Sequence, residues 1–153
     1  MTATLAGRLA QIVGPAHVST DPDVLAGRSV DHTGRYRGRA TALVRPGDTA
    51  EVAAVLRTCR DAGSHVTVQG GRTSLVAGTV PEHDDVLLST ERLTDIGPVD
   101  TVERRVWAGA GVTLAALQHT AAAVGLTFGV DLAARATAPG RHPGTHDRWP
   151  MAS

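Results

Sequence analysis

The spacing of apolar and polar positions predicts a chain of short helices and strands. Apolar residues share one side of an opening helix over residues 1–13, namely Leu5, Leu9, Ile12 and Val13. The next segment, 20–39, is polar and rich in turn-forming residues, which favours a loop. Short apolar runs that end at turn-forming residues are typical of strands, and they lie at 40–44, 66–68, 86–88, 105–108 and 127–130.

Two further helices have recognisable starts and ends. Asp48 followed by Glu51 is a capping pair, and Gly63 is a C-terminal stop. Thr113 is the predicted cap of the second helix, and Gly125 its stop. The apolar faces expected on these helices are Val52, Val55, Leu56 and Cys59 on the first, and Leu114, Leu117, Ala121 and Val124 on the second.

The order of these elements predicts an α+β fold. Residues 40–68 read strand, helix, strand, for which a neighbouring parallel pair with a right-handed crossover is expected. We expect a small βαβ-containing subdomain followed by the start of a second α+β subdomain, together filling residues 1–138. Residues 139–153 are rich in Pro, Gly and His without any period, and we expect a disordered tail there.

Composition excludes several kinds of chemistry. Fifteen basic residues balance 15 acidic ones, so no excess charge favours nucleic acid as a partner. Every basic residue is Arg, which excludes a lysine Schiff base, a phosphate-loop lysine and a Ser-Lys dyad. A single cysteine, Cys59, excludes an internal disulfide and a multi-thiolate metal site, and it indicates a reducing compartment.

The remaining sequence signals favour neither a membrane protein nor a familiar catalytic class. No run approaches the roughly 20 apolar residues that cross a bilayer, so a cytoplasmic location is predicted. His142 and His146 have metal-ligand spacing, but Pro143 and Gly144 lie between them, and no metal site is expected. Signatures of hydrolases, metalloproteases and kinases are absent, and no catalytic side chain is assigned.

The most informative segment is a glycine-rich loop at residues 70–78, directly after a predicted strand. Gly70 and Gly71 can take positive φ and allow a ligand close to the main chain, so that successive N–H groups form an anion-binding nest. Thr73 and Ser74 add hydroxyl donors, and a diphosphate is the anion that best matches such a loop. A plain tight turn is the alternative, and the loop by itself leaves both open.

A second glycine pair, Gly109 and Gly111, ends a predicted strand and opens a helix. Free N–H groups near Thr113 favour an anion there, although a lone GxG motif is a weak signal. The dinucleotide fingerprint GxGxxG fails because Leu114 stands where its third glycine belongs. A GxxxxGK[ST] phosphate loop fails for want of lysine.

Taken in order, these segments resemble the FAD-binding PCMH-type domain of the vanillyl-alcohol oxidase/p-cresol methylhydroxylase family. The nearest branch is that of FAD-linked 2-hydroxy-acid oxidases and dehydrogenases, which act on substrates such as glycolate and D-lactate. The resemblance covers about residues 5–138, and it rests on LVRP at 43–46 with TAEV at 49–52, QGGRTSL at 69–75, AGAGV at 108–112 and FGVDLAAR at 128–135.

The resemblance implies a flavin site and a redox function. In this family the glycine loop holds the FAD pyrophosphate and a proline walls the adenine side. The loop here has no histidine that could carry flavin, so non-covalent FAD is implied. Hydride would pass from a 2-hydroxy acid to the flavin. The implied cofactor-binding residues are Pro46, Gly70, Gly71, Arg72, Thr73, Ser74, Gly109, Ala110, Gly111 and Val112.

After residue 138 the sequence departs from the family pattern. Relatives continue through further glycine-rich segments, a second FAD subdomain and a substrate cap, whereas here the unpatterned tail follows. We therefore expect a truncation or frameshift that leaves the substrate half missing, and no turnover by this chain alone. Two other interpretations stay open: a non-catalytic module or subunit that docks on a separate protein, and an α+β domain that binds no flavin.

Overall fold

The chain folds into two compact units that each combine helices and strands. The computed structural model describes residues 4–130 and the backbone of residues 146–150. Unit 1 is Met1–Arg92 and unit 2 is Leu93–Ser153. The predicted α+β class, with one small subdomain followed by another, is confirmed.

The elements of both units follow one another in short succession. Those of unit 1 are α1 (Leu5–Val13), a 3-10 turn (Pro15–His17), β1 (Val18–Ser19), α2 (Pro22–Arg28), β2 (Ala40–Val44), α3 (Thr49–Asp61), β3 (Val66–Gln69) and β4 (Asp85–Ser89). Those of unit 2 are β5 (Arg105–Gly109), α4 (Leu114–Ala122) and β6 (His146–Pro150).

The sheet of unit 1 has the order β1-β2-β4-β3. β2 and β3 are each parallel to β4, and β1 is antiparallel to β2. The expectation that β2 and β3 would be neighbours is wrong, because β4 lies between them. The physical reason is the apolar run Val86, Leu87 and Leu88 in β4, which favours the central position with a partner strand on both sides, where all five residues of β4 are buried.

Capping groups fix both ends of α3 as predicted. Asp48 accepts a hydrogen bond from the N–H of Glu51 at 2.8 Å, and the Glu51 carboxylate accepts from the N–H of Gly47 at 2.7 Å. At the other end Gly63 has φ of 64°, and the N–H of Ser64 donates to the carbonyl of Cys59 at 2.9 Å. The chain therefore turns sharply out of α3 and into β3.

The core of unit 1 lies between its helices and its sheet. α1 packs against α3, and the buried residues of the two helices are Leu9, Val13, Val52, Val55 and Cys59. Leu56, predicted on the same face, is 43% exposed. The buried face of α3 is thus narrower than the periodicity indicated, since it is centred on Val55 and Cys59.

The segment expected to be an irregular loop contains a helix, α2. Asp21 caps it by accepting from the N–H groups of Asp23 and Val24 at 2.8 and 3.1 Å, and Pro22 occupies the first turn. Leu25 packs with Leu43 and Leu87 of the sheet. A single buried leucine in a seven-residue helix is a signal too weak for periodicity to detect.

Unit 2 is built around β5 and α4. Thr113 caps α4 through the N–H of Ala116 at 3.3 Å, as predicted. Val124, expected on its buried face, is 43% exposed, and residues 127–130 form no strand. The core consists of Val106, Ala108, Val112, Leu114, Leu117, Ala121 and Phe128. In the tail expected to be disordered, residues 146–150 form β6, antiparallel to β5.

Candidate functional site

The parallel strands of unit 1 place three chain segments at one edge of the sheet. β2, β3 and β4 run in the same direction, so Arg45, Gly70 and Thr90, which follow them, leave from the same edge. Ligands of open parallel sheets bind outside the carboxyl ends of the strands. The glycine-rich loop therefore begins where the topology favours a binding crevice.

The main-chain amides at the start of this loop are not used by the chain. Within residues 4–130, no hydrogen bond involves an N–H group of residues 70–74. Neighbouring amides are satisfied locally: the N–H of Val80 donates to the carbonyl of Ala77 at 2.9 Å, and that of Val76 to the Ser74 hydroxyl at 3.3 Å. Since main-chain N–H groups need acceptors, residues 70–74 offer a row of available donors.

The backbone conformation of the loop differs from the prediction. The positive φ angles occur at Arg72 (54°) and Ala77 (57°), and neither Gly70 nor Gly71 has one. A non-glycine residue with positive φ is uncommon and costs free energy. Arg72, with this uncommon backbone conformation, lies in the middle of the row of free amides.

The two hydroxyl residues of the loop have different surroundings. Ser74 accepts the N–H of Val76, so its lone pair is engaged while its O–H stays available to donate. Thr73 makes no side-chain hydrogen bond with the part of the chain that the structure describes. Both residues are half-buried. Two hydroxyl donors thus lie in sequence beside the free amides.

The side chain of Arg72 is turned towards α2. Its Nη1 donates to the carbonyl of Gly27 at 2.9 Å. Burial lowers the pKa of Arg72, and the nearby positive charge of Arg28 lowers it further. The guanidinium remains charged, because arginine does not deprotonate in proteins. Positive charge is therefore held close to the loop.

Glu91 forms ion pairs with two arginines, Arg28 and Arg45, at the same edge of the sheet. It accepts from Arg28 at 2.9 Å and from Arg45 at 3.4 Å, and the Ser89 hydroxyl donates to it at 3.0 Å. Burial raises the pKa of Glu91, but these hydrogen bonds outweigh burial, and the pKa lies below its ordinary value. Glu91 is an anion that sequence reasoning did not single out, because no motif marks it.

The predicted adenine wall is interior to the protein. Pro46 is fully buried. Beside it, a Cβ on Gly47 would lie 2.8 Å from the Arg92 guanidinium, which donates to the carbonyl of Arg45 at 2.7 Å. Arg92 therefore packs over this turn, and a side chain at residue 47 would require the guanidinium to shift.

In the second glycine segment, the main-chain N–H groups of Gly109, Gly111 and Val112 already donate hydrogen bonds within unit 2. The N–H groups of Gly109 and Gly111 donate to the carbonyls of Asp95 and Leu93 at 2.8 and 2.9 Å, and that of Val112 donates to Gly109. A Cβ on Gly109 would overlap the Leu93 carbonyl. The expected free amides are therefore absent at these three residues, and Gly109 serves a close approach of backbones within unit 2. Ala110, between them, is half-buried.

The other candidate residues fall outside the site or outside the described chain. Cys59 is fully buried, and burial raises the pKa of its thiol, which fits a core residue. His142 is beyond the described residues, as are the side chain of His146 and the family-like residues 131–135. Over residues 4–130, no group of metal-binding side chains comes together and no helix is long and apolar enough to cross a membrane.

The donor set of unit 1 fits a diphosphate. A diphosphate needs several hydrogen-bond donors that converge on a small volume without a bulky side chain between them. Residues 70–74 supply free amides, two hydroxyls and a glycine pair with no Cβ, next to the Arg28 and Arg72 charges. The residues present therefore fit the phosphate-bearing part of a dinucleotide.

Curated relatives of this chain are 2-hydroxy-acid dehydrogenases. It is 35% identical to D-2-hydroxyglutarate dehydrogenase, mitochondrial, of Bos taurus over 80% of this chain and 23% of that protein. It is 29% identical to the putative D-lactate dehydrogenase C713.03, mitochondrial, of Schizosaccharomyces pombe over 86% of this chain and 25% of that protein. The chain thus spans about a quarter of the length of these relatives.

Solved structures share the fold. Alkyldihydroxyacetonephosphate synthase superimposes with a TM-score of 0.79 at 15% identity, over 90% of this chain and 28% of that one. p-Cresol methylhydroxylase superimposes with a TM-score of 0.72 at 14% identity, over 88% of this chain and 27% of that one.

A family model places the chain directly. The model for the FAD binding domain, FAD_binding_4, matches residues 40–139, which is more than half of the sequence and spans both glycine segments. The predicted resemblance to PCMH-type flavoproteins is confirmed by this match together with the shared fold. The chain belongs to the FAD_binding_4 family of FAD binding domains.

Proposed function

We propose that residues 70–74 bind the diphosphate of FAD through their main-chain N–H groups. The observation that supports this most is that these amides have no acceptor within the described chain. The hydroxyls of Thr73 and Ser74 would add donors, and the Arg28 and Arg72 charges would favour an anion. The glycine pair would let the phosphates approach the backbone.

We propose that the flavin is held without a covalent bond. Residues 70–78 contain no His, Cys or Tyr that could form one. The single cysteine, Cys59, is fully buried on α3. Affinity would then rest on hydrogen bonds and shape.

The other predicted contacts are proposed in a modified form. Van der Waals contacts with the cofactor are proposed for Gly109, Gly111 and Val112. These residues would donate no main-chain hydrogen bond to it, because their N–H groups are engaged within unit 2. Ala110 would belong to the same surface. Pro46 would support the adenine side from beneath, since its ring is buried.

The reaction that we propose for the complete enzyme is oxidation of a 2-hydroxy acid of the glycolate or D-lactate type. Bound FAD would supply the acceptor for the hydride that leaves the substrate carbon. The names of the curated relatives support this substrate class. We assign the groups that bind and deprotonate the substrate to residues outside this chain, and the role of residues 70–74 is to hold the cofactor.

Titration with FAD tests the binding proposal. Flavin fluorescence should change saturably when the purified chain is added. ADP should compete because it carries the same diphosphate, whereas riboflavin, which has none, should not. A flat titration, or competition by riboflavin as effective as that by ADP, would refute the diphosphate assignment.

A matched pair of threonine variants tests the loop itself. Thr73→Val removes a hydroxyl that has no partner in the described chain, and a lost hydrogen bond to a charged group should weaken FAD binding roughly tenfold. Thr79→Val makes the same change at the end of the same loop and should leave the affinity unchanged. Equal effects of the two variants would contradict the proposed contact.

Turnover separates cofactor binding from catalysis. The chain saturated with FAD should not oxidise D-lactate or glycolate, because it lacks the proposed substrate groups. Steady oxidation of either acid by this chain alone would overturn that part of the proposal.

A further inference from the structure

Gln69 is a fully buried polar residue at the point where β3 enters the glycine-rich loop. Its side chain has 0% exposure. Its Nε2 donates to two carbonyls, those of Arg28 at 2.8 Å and Thr79 at 2.8 Å. One side chain therefore joins the beginning of the loop, its end and the last turn of α2.

The orientation of this amide is set by its partners. Both partners are carbonyl oxygens, which only accept, so the NH₂ group must face them. The other atom, Oε1, is buried without a hydrogen-bond partner in the described chain. A buried acceptor without a partner costs free energy, so core packing alone does not explain a glutamine here.

Arg72 makes a second connection to the same turn of α2, through the carbonyl of Gly27. The last carbonyls of a helix have no intrahelical partner and need hydrogen-bond donors from elsewhere. Gly27 and Arg28 are the last two residues of α2. Both carbonyls receive their donors from residues at the glycine loop, one from each side of the Gly70–Gly71 pair.

These contacts explain how the loop keeps its amides free. A tight turn usually closes on itself by bonds between its own N–H and C=O groups. Here the Gln69 side chain closes residues 69–79, and the Arg72 side chain, bonded to Gly27, holds a residue whose φ is positive. The main-chain N–H groups of residues 70–74 are therefore not used in closing the loop and stay available to a ligand.

We propose that Gln69 is the positioning residue of the FAD-binding loop: by bonding Thr79 and the end of α2, it holds residues 70–74 with their amides turned to the ligand. It acts on FAD through the loop. The inference rests on the proposed function for its effect on affinity, whereas its effect on loop conformation is independent of flavin.

Trypsin tests the conformational part without any flavin. The chain has no Lys, so cleavage after Arg72 can be followed among arginine sites only. Gln69→Met keeps the length of the side chain and removes both donors, and it should accelerate cleavage at the Arg72–Thr73 bond about tenfold or more. Val55→Ala, a change at a fully buried position of α3, is the control for lost stability.

The comparison is made at equal free energy of unfolding, adjusted with temperature if the two variants differ. Faster cleavage after Arg72 in Gln69→Met than in Val55→Ala supports the proposal. Cleavage at this bond no faster than in Val55→Ala would overturn it. If the wild-type chain fails to bind FAD, the proposed function falls, and this protease result still decides the role of Gln69.

A pH profile tests the effect on FAD. Gln69→Glu should bind FAD more weakly than wild type by about tenfold or more at about pH 8, since a carboxylate cannot donate to either carbonyl. At about pH 5.5 protonation restores one donor, because burial against two carbonyls raises the pKa of the introduced acid. The ratio of variant to wild-type dissociation constants should therefore shrink as pH falls. A ratio near one at both pH values, or one that does not change with pH, would refute the proposal.

Discussion

Replacing Gly109 by alanine tests whether the close approach of two backbone segments requires a glycine at this position. A Cβ on this residue would lie 2.8 Å from the carbonyl carbon of Leu93 and would overlap the carbonyl oxygen. Backbone cannot rotate aside as a side chain does. Accommodating the methyl group requires β5 and residues 93–95 to move apart, which strains the bond from the Gly109 N–H to Asp95.

The cost follows from two contributions. Overpacking of this kind costs about 1–3 kcal/mol. Loss of the hydrogen bond to Asp95 adds roughly 0.5–1.5 kcal/mol. We therefore expect Gly109→Ala to lower the free energy of unfolding of unit 2 by about 1.5–4.5 kcal/mol.

Urea unfolding followed by tryptophan fluorescence measures this directly. Both tryptophans, Trp107 and Trp149, belong to unit 2. Gly129→Ala is the matched control, because a Cβ there would meet nothing within 4 Å. Unchanged stability in Gly109→Ala would refute the explanation that the close approach to Leu93 requires a glycine here.

Three further predictions concern unit 1. Asp48→Ala removes the cap of α3 and should lower the free energy of unfolding by about 1 kcal/mol in a urea titration. Because the pKa of Glu91 is lowered in the folded chain, its carboxylate stabilises the fold above the ordinary pKa, and this contribution is lost as pH falls through the lowered value. Glu91→Gln should therefore remove this part of the pH dependence of the free energy of unfolding. The same pH dependence in the variant and the wild type would contradict the prediction. The buried Cys59 should react with a thiol reagent only as fast as local unfolding exposes its thiol. Fast labelling of the native chain would disprove the burial of Cys59.

Local signals in the sequence were sufficient for most elements of the fold. The caps at Asp48 and Thr113 involve residues three positions apart, so they can be read without knowing any distant contact. The order of strands could not be read in this way. β4 lies between β2 and β3 and is buried along its whole length, and that burial depends on the assembled sheet.

The loop of the proposed site could be read from the sequence, whereas the contacts that support it could not. The glycine pair and the hydroxyls at residues 70–74 could be read from the sequence, and the structure leaves their amides free. The contact that holds this loop to α2 could not be read from the sequence, since Gln69 and Arg28 are 41 residues apart along the chain. At Gly109 the same residue type has another cause, a close approach to Leu93, and composition does not distinguish the two.

The central claim is that main-chain amides of residues 70–74 receive the FAD diphosphate, and amide hydrogen exchange at single residues tests it most directly. Saturation of the isotope-labelled chain with FAD should slow exchange at residues 70–74, which have no acceptor in the described chain. The amides of Gly109 and Gly111, already bonded, should change little. Binding of FAD that leaves exchange at residues 70–74 unchanged would contradict the account.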